Sequence, residues 1–240
     1  MTTIDSAPQM PLLRKPLPTL LLLFLRLPQA VPLAFPPPSY VVLGNLQSGG
    51  NIGRIIRSAS IFGVSECVVV GQRKWPIMGD HGSRFDVPQR HFYDHKCAAD
   101  YLKDERGATI VGVEITDDSK PLAAIDPETG RLTVPWLQTG DGTGANQGKA
   151  VAFVLGNEGS GLSQRFRAIC DDFVYIPQVR GGSGGGGGSS GGGSGGGSSS
   201  LNVACAAAVV LQMHALVAGF EEAPRQGEKF LQQPLTDTDI

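Results

Sequence analysis

The sequence predicts an α/β fold in which a mostly parallel sheet is covered by helices on both faces. Short apolar runs alternate with stretches of helical period, a pattern typical of parallel strands that are buried on both sides. Three polar junctions stand where a strand meets a loop or helix, and such junctions converge at the carboxyl ends of parallel strands. At 240 residues and 41% hydrophobic content, the chain can build one catalytic domain.

Two series of elements are predicted in order along the chain. The first series runs strand, helix, strand, helix, strand, over Tyr40–Leu43, Ile52–Phe62, Cys67–Val70, Ala98–Lys103 and Thr109–Glu114. The second runs strand, short helix, strand, long apolar helix, over Val151–Leu155, Ser163–Ile169, Phe173–Ile176 and Leu201–Ala218. Between Thr116 and Lys149 no clear period is visible, so a surface excursion is predicted there.

Residues 1–38 form a proline-rich extension that is predicted to hold little regular structure. Its apolar run, Leu20–Leu25, is far shorter than the ~20 residues that cross a bilayer, so no membrane segment is expected. The basic start at Arg14-Lys15 and the small residue Ala34 resemble a targeting peptide for an organelle, a plastid or a mitochondrion. The alternative is a dispensable or mis-started extension. The domain is expected over 39–223, with a C-terminal tail at 224–240.

The segment 181–200 contains only glycine and serine and is predicted to be a flexible insertion in the domain. Lengthening a loop from about five to about twenty residues costs only ~1.2 kcal/mol in closure entropy, so the fold can tolerate it. An inert repeat expansion is favoured over a binding role.

Charge and cysteine content narrow the classes of partner and site. A net charge of −2 and a pI of about 6.1 provide no global positive field, so any RNA binding must depend on a local patch. The four cysteines contain no C-x-x-C pair and are predicted to be reduced core residues of an intracellular protein. Histidine and cysteine show no metal-ligand spacing, and no metal is expected.

The first junction, Asn51-Ile-Gly-Arg-Ile-Ile-Arg57, places two arginines on one helix face. Arg54 and Arg57 are three residues apart, and no carboxylate lies three or four residues from Arg57. Two neighbouring guanidinium groups without a local acid favour an external anion such as phosphate. A solvated helix face or a salt bridge to a distant acid is the alternative.

The second and third junctions combine small and polar residues. Gly156–Gly161 follows a buried strand, where glycine lets a ligand approach the backbone. The structural alternative for Glu158 is a cap or a surface acid. This loop lacks the P-loop and Rossmann glycine patterns. Ser200 and Asn202 precede the long helix, where both residue types are also good caps.

A moderately basic stretch follows the third predicted element. Its cations include Arg73, Lys74, Arg84 and Arg90, and aspartates at positions 80, 86 and 94 dilute their charge. Together with Arg54 they are candidates for contact with an RNA backbone, and ordinary surface charge is the alternative.

The residue sequences and the order of the three junctions resemble those of the SpoU/TrmH branch of the SPOUT RNA methyltransferases. The resemblance covers about residues 39–220 and includes Phe62-Gly-Val64, Gly112-Val-Glu114 and Tyr175-Ile-Pro177. It implies a SPOUT-type fold with a C-terminal trefoil knot, and a homodimer with composite active sites. Neither property follows from composition or periodicity.

The resemblance also implies roles for individual residues. Arg57 matches the catalytic arginine, with Asn51 beside it, and Glu158, Ser200 and Asn202 match the other active-site positions. S-adenosylmethionine would be held at Leu155, Gly156, Ile176, Gln178 and Leu201. The expected reaction is methylation of a ribose 2′-hydroxyl in tRNA or rRNA. A non-catalytic RNA-binding protein with the same fold and a base methyltransferase are the alternatives.

Overall fold

The computed structural model describes residues 36–44, 48–73, 77–128, 130, 132–137, 149–157, 160–178, 200–227 and 229–230. All of them belong to one compact unit, Pro32–Ile240. Residues 1–35, nearly all of the Gly/Ser insertion and residues 231–240 lie outside the described residues. The targeting peptide and the domain limits therefore stay predictions.

Eleven strands are present among the described residues. In chain order they are β1 Ser39–Leu43, β2 Glu66–Val70, β3 Gln89–Phe92, β4 Thr109–Val113, β5 Lys120–Pro121, β6 Ala124–Ile125, β7 Leu132–Thr133, β8 Val151–Leu155, β9 Asp172–Tyr175, β10 Arg225–Gln226 and β11 Lys229–Phe230. Seven of them form one sheet in the order β3-β2-β1-β8-β4-β9-β5, and every pair in it is parallel. Two antiparallel hairpins, β6-β7 and β10-β11, stand apart from it.

The helices are α1 Gly49–Ile61, α2 His95–Asp100, α3 Gln164–Arg167 and α4 Val203–Ala218. A π-helical turn at Tyr101–Glu105 extends α2, and short 3-10 turns occupy Ser83–Phe85 and Pro135–Leu137. The side chain of Asp94 caps α2 by accepting backbone N–H groups, as Asn202 does for α4. α4 ends at Gly219, whose φ of +75° suits glycine.

Two hydrophobic layers cover the sheet, one on each face. Val41 and Leu43 of β1 point toward α1 and α4, whereas Tyr40 and Val42 point toward α2 and α3. Full burial of such an aliphatic side chain contributes about 1.5–3 kcal/mol. The predicted parallel sheet with helices on both faces is therefore confirmed.

Gly53 lets a loop pack tightly on α1. A Cβ atom at this position would collide with the backbone carbonyl of Met78. The Met78 N–H also donates to the Gly49 carbonyl at 3.2 Å. The segment from 77 to 80 is thereby held against the first turns of α1.

The region predicted as a surface excursion contributes to the core, so that prediction is partly wrong. β5 extends the sheet at one edge, and Leu122, Val134 and Trp136 are buried. Strands of two residues are too short to show a sequence period. β3 was also not predicted, because its sequence, Gln-Arg-His-Phe, is polar and it lies at the opposite edge of the sheet.

The structure partly confirms the prediction that the four cysteines are reduced core residues. All four cysteines are free, but Cys97 and Cys205 are exposed, so the prediction of four core cysteines is wrong for these two.

β10 and β11 fall within the predicted tail. The trefoil knot stays a prediction, because residues 179–199 lie outside the described part of the chain. No helix of that part has both the length and the apolarity to span a membrane.

His214 of α4 is buried among aromatic rings. Its side chain is 1% exposed and lies 5.2 Å from Trp136, 5.8 Å from Phe153 and 5.7 Å from Phe220, measured between ring centroids. Within the described residues, neither ring nitrogen makes a hydrogen bond of normal geometry. Burial lowers the pKa of His214 to about 4, against a smaller opposing effect of the Pro37 backbone.

Candidate active site

A cavity of about 310 Å³ opens at the carboxyl ends of β4, β8 and β9, beside the start of α4. Its lining includes all five residues predicted to hold a cofactor, which are Leu155, Gly156, Ile176, Gln178 and Leu201. Ser200 lines it as well. The structure thus brings the second and third junctions together, as expected for carboxyl ends of neighbouring parallel strands.

The loop after β8 forms one wall of this cavity. Asn157 and Gly161 pair through two backbone hydrogen bonds of 3.0 and 2.9 Å, which close the loop. Gly161 has a φ of +63°, a conformation that favours glycine. Glu158, the predicted active-site acid, lies outside the described residues.

Glu114 is a cavity residue that the sequence did not single out as part of the site. It directly follows β4, and its Oε2 accepts a hydrogen bond of 2.7 Å from the Leu162 N–H. An acidic residue immediately after a buried strand is the signal that could have identified it.

The first and third junctions meet through their asparagines. Asn202 Nδ2 donates to Asn51 Oδ1 at 3.2 Å, and Arg54 Nη1 donates to the same oxygen at 3.4 Å. Asn202 Oδ1 simultaneously accepts the Ala204 N–H at 2.9 Å. The capping interpretation of Asn202 is therefore correct, and the same side chain also joins α4 to α1.

The two arginines of α1 are exposed, and neither forms an ion pair with an acid in the described part of the chain. Arg54 bonds to Asn51, whereas Arg57, one turn further on, makes no side-chain hydrogen bond to a described residue. No acidic residue occupies the first turn of α1. Arg57 is not among the residues lining the cavity of its own chain.

The other predicted RNA contacts fall into two groups. Arg73 is exposed after β2, and Lys74 lies outside the described residues. Arg84 instead donates to both carboxylate oxygens of buried Asp80, at 2.7 and 2.6 Å. This guanidinium lowers the pKa of Asp80 to about 2. RNA contact remains a prediction for all of them, and the charge of Arg84 is already balanced by a buried acid.

Arg90 belongs to a polar network at the amino end of the sheet. Its Nε donates to Glu66 Oε1 at 3.1 Å, and the Tyr101 hydroxyl donates to Glu66 Oε2 at 2.5 Å. Arg106 Nε in turn donates to the Tyr101 oxygen at 2.6 Å. Burial, and next the hydrogen bond to Glu66, raise the pKa of Tyr101. Each side chain of this network is therefore hydrogen-bonded to another member.

The described residues contain no group of three or more histidine, cysteine, aspartate or glutamate side chains placed to hold a metal ion. Leu155, Ile176 and Leu201 instead give the cavity a largely apolar wall, with polar backbone at its loops. Such a mixture is typical of a site for an organic ligand.

The chain is similar to proteins described as RNA methylases or methyltransferases. Residues 38–183 match the model of the SpoU rRNA Methylase family. An "Uncharacterized tRNA/rRNA methyltransferase" of Mycobacterium ulcerans is 28% identical over 158 residues, which are 62% of this chain and 42% of that protein. The chain thus spans about two fifths of the length of the curated relatives it matches.

Solved structures show the same fold. The SpoU methyltransferase AviRb from Streptomyces viridochromogenes is 25% identical, with a TM-score of 0.52, over 76% of this chain and 61% of that one. The TrmH/SpoU tRNA modifying enzyme of A. aeolicus, at 19% identity, has a TM-score of 0.51 over 75% and 74% of the two chains. Because the family model matches more than half of the sequence, the chain belongs to the SpoU rRNA methylase family, as predicted.

Proposed function

We propose that this protein transfers a methyl group from S-adenosylmethionine to a ribose 2′-hydroxyl of tRNA or rRNA. The observation that carries the proposal is the convergence of the three junctions. Asn51 bonds to Asn202, and Leu201 lines one cavity together with Gly156. Membership of a family of RNA methylases supports the chemistry.

The cavity fits S-adenosylmethionine in its chemical character. Leu155, Ile176 and Leu201 offer apolar surface to an adenine ring, and Gly156 leaves backbone groups accessible. Glu114 adds a carboxylate opposite a ligand that carries positive charge. When bound, this cofactor supplies a methyl group on a sulfonium, which is electrophilic without the help of a metal.

Arg57 acts on the RNA in this proposal. Its guanidinium is exposed, permanently charged and, among the described residues, not engaged by an acid. It holds a phosphate of the substrate and stabilises negative charge on the attacking oxygen. The guanidinium keeps its own proton, so another group accepts the hydroxyl proton. Arg54 and Arg73 extend the positive surface along the RNA.

The active site is composite, formed by two copies of the chain. Arg57 does not line the cavity of its own chain, which supports the supply of this arginine by a second copy. α1 and α4 pack on each other and expose apolar side chains, including Ile61, Val209 and Leu216. An apolar surface of this kind is typical of an interface between identical chains.

Complementation between two inactive variants tests this arrangement. Arg57→Ala removes the arginine, and Gly156→Val disrupts the cavity wall, because a Cβ at Gly156 would lie 2.6 Å from Glu114 Oε2 and 3.1 Å from the Gly161 carbonyl carbon. Co-expression with different tags, followed by isolation of the mixed species, should restore activity at one of the two sites. An active Arg57→Ala homodimer, or a mixed species as inactive as its parents, contradicts the proposal.

The reaction is tested by mass analysis of nucleosides. The purified protein is incubated with RNA and S-adenosylmethionine bearing a CD3 group, and the RNA is digested to nucleosides. A label on the ribose supports 2′-O-methylation, and a label on the base overturns it in favour of a base methyltransferase. RNA binding without any cofactor binding would favour the non-catalytic alternative. Arg57→Ala serves as the control for contaminating activity.

A further inference from the structure

Glu114 occupies a fixed position at the carboxyl end of an interior strand of the sheet. It follows β4, which lies between β8 and β9, and its own N–H donates to the Val174 carbonyl at 2.9 Å. Val113 and Ile115, on either side of it, also line the cavity. The carboxylate is therefore presented to the cavity from a fixed backbone.

The carboxylate supports the loop after β8 from below. Oε2 holds the Leu162 N–H, and a Cβ on Gly156 would lie 2.6 Å from this oxygen. A Cβ on Gly161 would lie 2.8 Å from Oε1. The glycines at the two ends of the loop, Gly156 and Gly161, thus leave space for the carboxylate. Glu114 is therefore a positioning residue for the cavity wall.

The charge of Glu114 has no cationic neighbour in the part of the chain that the structure describes. Its hydrogen bond there is to a backbone N–H, whereas six other described acids each form an ion pair with a lysine or arginine. These paired acids are Glu66, Asp80, Asp100, Asp171, Asp172 and Glu222. A negative group beside apolar walls attracts cations more strongly than it would in open water.

We propose that the Glu114 carboxylate makes the cavity select a sulfonium ligand over the neutral thioether that remains after methyl transfer. This inference rests on the proposed use of S-adenosylmethionine. Breaking the bond between sulfur and methyl leaves the electron pair on sulfur and removes one positive charge from the ligand. The attraction to Glu114 then weakens, which favours exchange of product for fresh cofactor.

Equilibrium binding without RNA tests the inference. The affinities of the wild type and of Glu114→Gln for S-adenosylmethionine and S-adenosylhomocysteine are measured by calorimetry. The glutamine keeps the shape and an acceptor for the Leu162 N–H but carries no charge. We expect about tenfold weaker binding of the sulfonium and less than about twofold change for the thioether.

Two further comparisons separate charge from loop support. Asp117→Asn removes an exposed carboxylate outside the cavity and should leave the ratio of the two affinities unchanged. Added salt should lower the ratio in the wild type toward that of Glu114→Gln, because ions screen the attraction. A merely structural role would not produce this salt dependence.

The outcomes are distinct from those of the proposed reaction. Equal weakening of both ligands in Glu114→Gln, or an unchanged ratio, overturns charge selection. Binding of neither ligand by the wild type overturns it as well, along with the cofactor assignment. Methylation of a base instead of a ribose would contradict the proposed function and leave the role of Glu114 intact.

Discussion

The two ends of the sheet satisfy their acidic side chains in different ways. At the amino end, Glu66 accepts from Arg90 and Tyr101, and Tyr101 accepts from Arg106. At the carboxyl end, the described residues give Glu114 one backbone N–H and no cation. A charge network that is complete within the chain serves stability, whereas an acid that retains binding capacity serves a ligand. Among the arginines, Arg84 and Arg90 are paired with acids, whereas Arg57 forms no ion pair with a described acid.

The largest effect is expected from Arg57. Arg57→Ala should lower kcat for methyl transfer by about 100- to 1000-fold, because the proposed function makes this side chain the charged donor to the reacting oxygen. The affinity for S-adenosylmethionine and the free energy of unfolding should change little, since the side chain is exposed. Single-turnover assays and calorimetry measure these quantities.

A matched change at the amino end sharpens this result. Arg106→Ala also removes an arginine, but this one donates to Tyr101. It should reduce stability without changing the rate of methyl transfer by the folded protein. Equal loss of rate in both variants would mean that the two ends do not differ in function.

The amino end should respond to loss of its acid by losing stability. Glu66→Ala leaves Arg90 and Tyr101 without their shared acceptor, and Glu66 is only 8% exposed. We expect about 2–3 kcal/mol lower free energy of unfolding in urea titrations, a partial value because Arg90 is half exposed. Glu66→Gln should lose less, and a neutral effect of Glu66→Ala would show that the network contributes nothing.

His214, which lies at neither end of the sheet's charged groups, should make the free energy of unfolding depend on pH. Its folded pKa of about 4 lies below its ordinary value of 6.5, so the unfolded chain takes up the proton first as pH falls. The contribution is complete above pH 7 and declines between about pH 7 and pH 4, reaching a loss of about 2 kcal/mol at pH 5. Urea titrations at pH 7 and pH 5 measure this loss of stability. His214→Phe should remove this part of the dependence, and an identical pH profile in the variant would contradict the assignment.

The smallest effect is expected from the Gly/Ser tract. Deleting Gly184–Gly197 shortens the connection to Ser200 by fourteen residues and should raise stability by only ~1 kcal/mol through lower closure entropy. Calorimetry with S-adenosylmethionine should give similar affinities for the deletion variant and the full chain. A large change in affinity would show that the tract takes part in the site.

Much of the fold was predictable because it depends on apolar period. β8 was predicted at its observed limits, and α4 within two residues, since both are long apolar runs. The sequence did not predict the edge strands β3 and β5, because short or polar strands carry no hydrophobic period. The burial of Trp136 was not predicted either. Contacts between distant segments decide such elements.

The site was predictable to the extent that its motifs are local. The five expected cofactor positions were implied by the resemblance to the SpoU/TrmH family, and they line one cavity. Glu114 was missed because its importance arises from Leu162, 48 residues away in sequence. The pairing of Arg84 with Asp80 was likewise invisible in the composition of a basic stretch. Local sequence reports residue types, and only the fold reports which charges are already neutralised.

The bond between Asn51 and Asn202 has a consequence for synthesis of the protein. It joins residues 151 positions apart, and the second of them begins the last long helix. Every strand of the main sheet lies before residue 176, whereas α4 and the Leu201 wall of the cavity come later in the chain. A truncated message ending before codon 201 would therefore encode the whole sheet but neither the helix that covers one of its faces nor the Asn202 partner of Asn51.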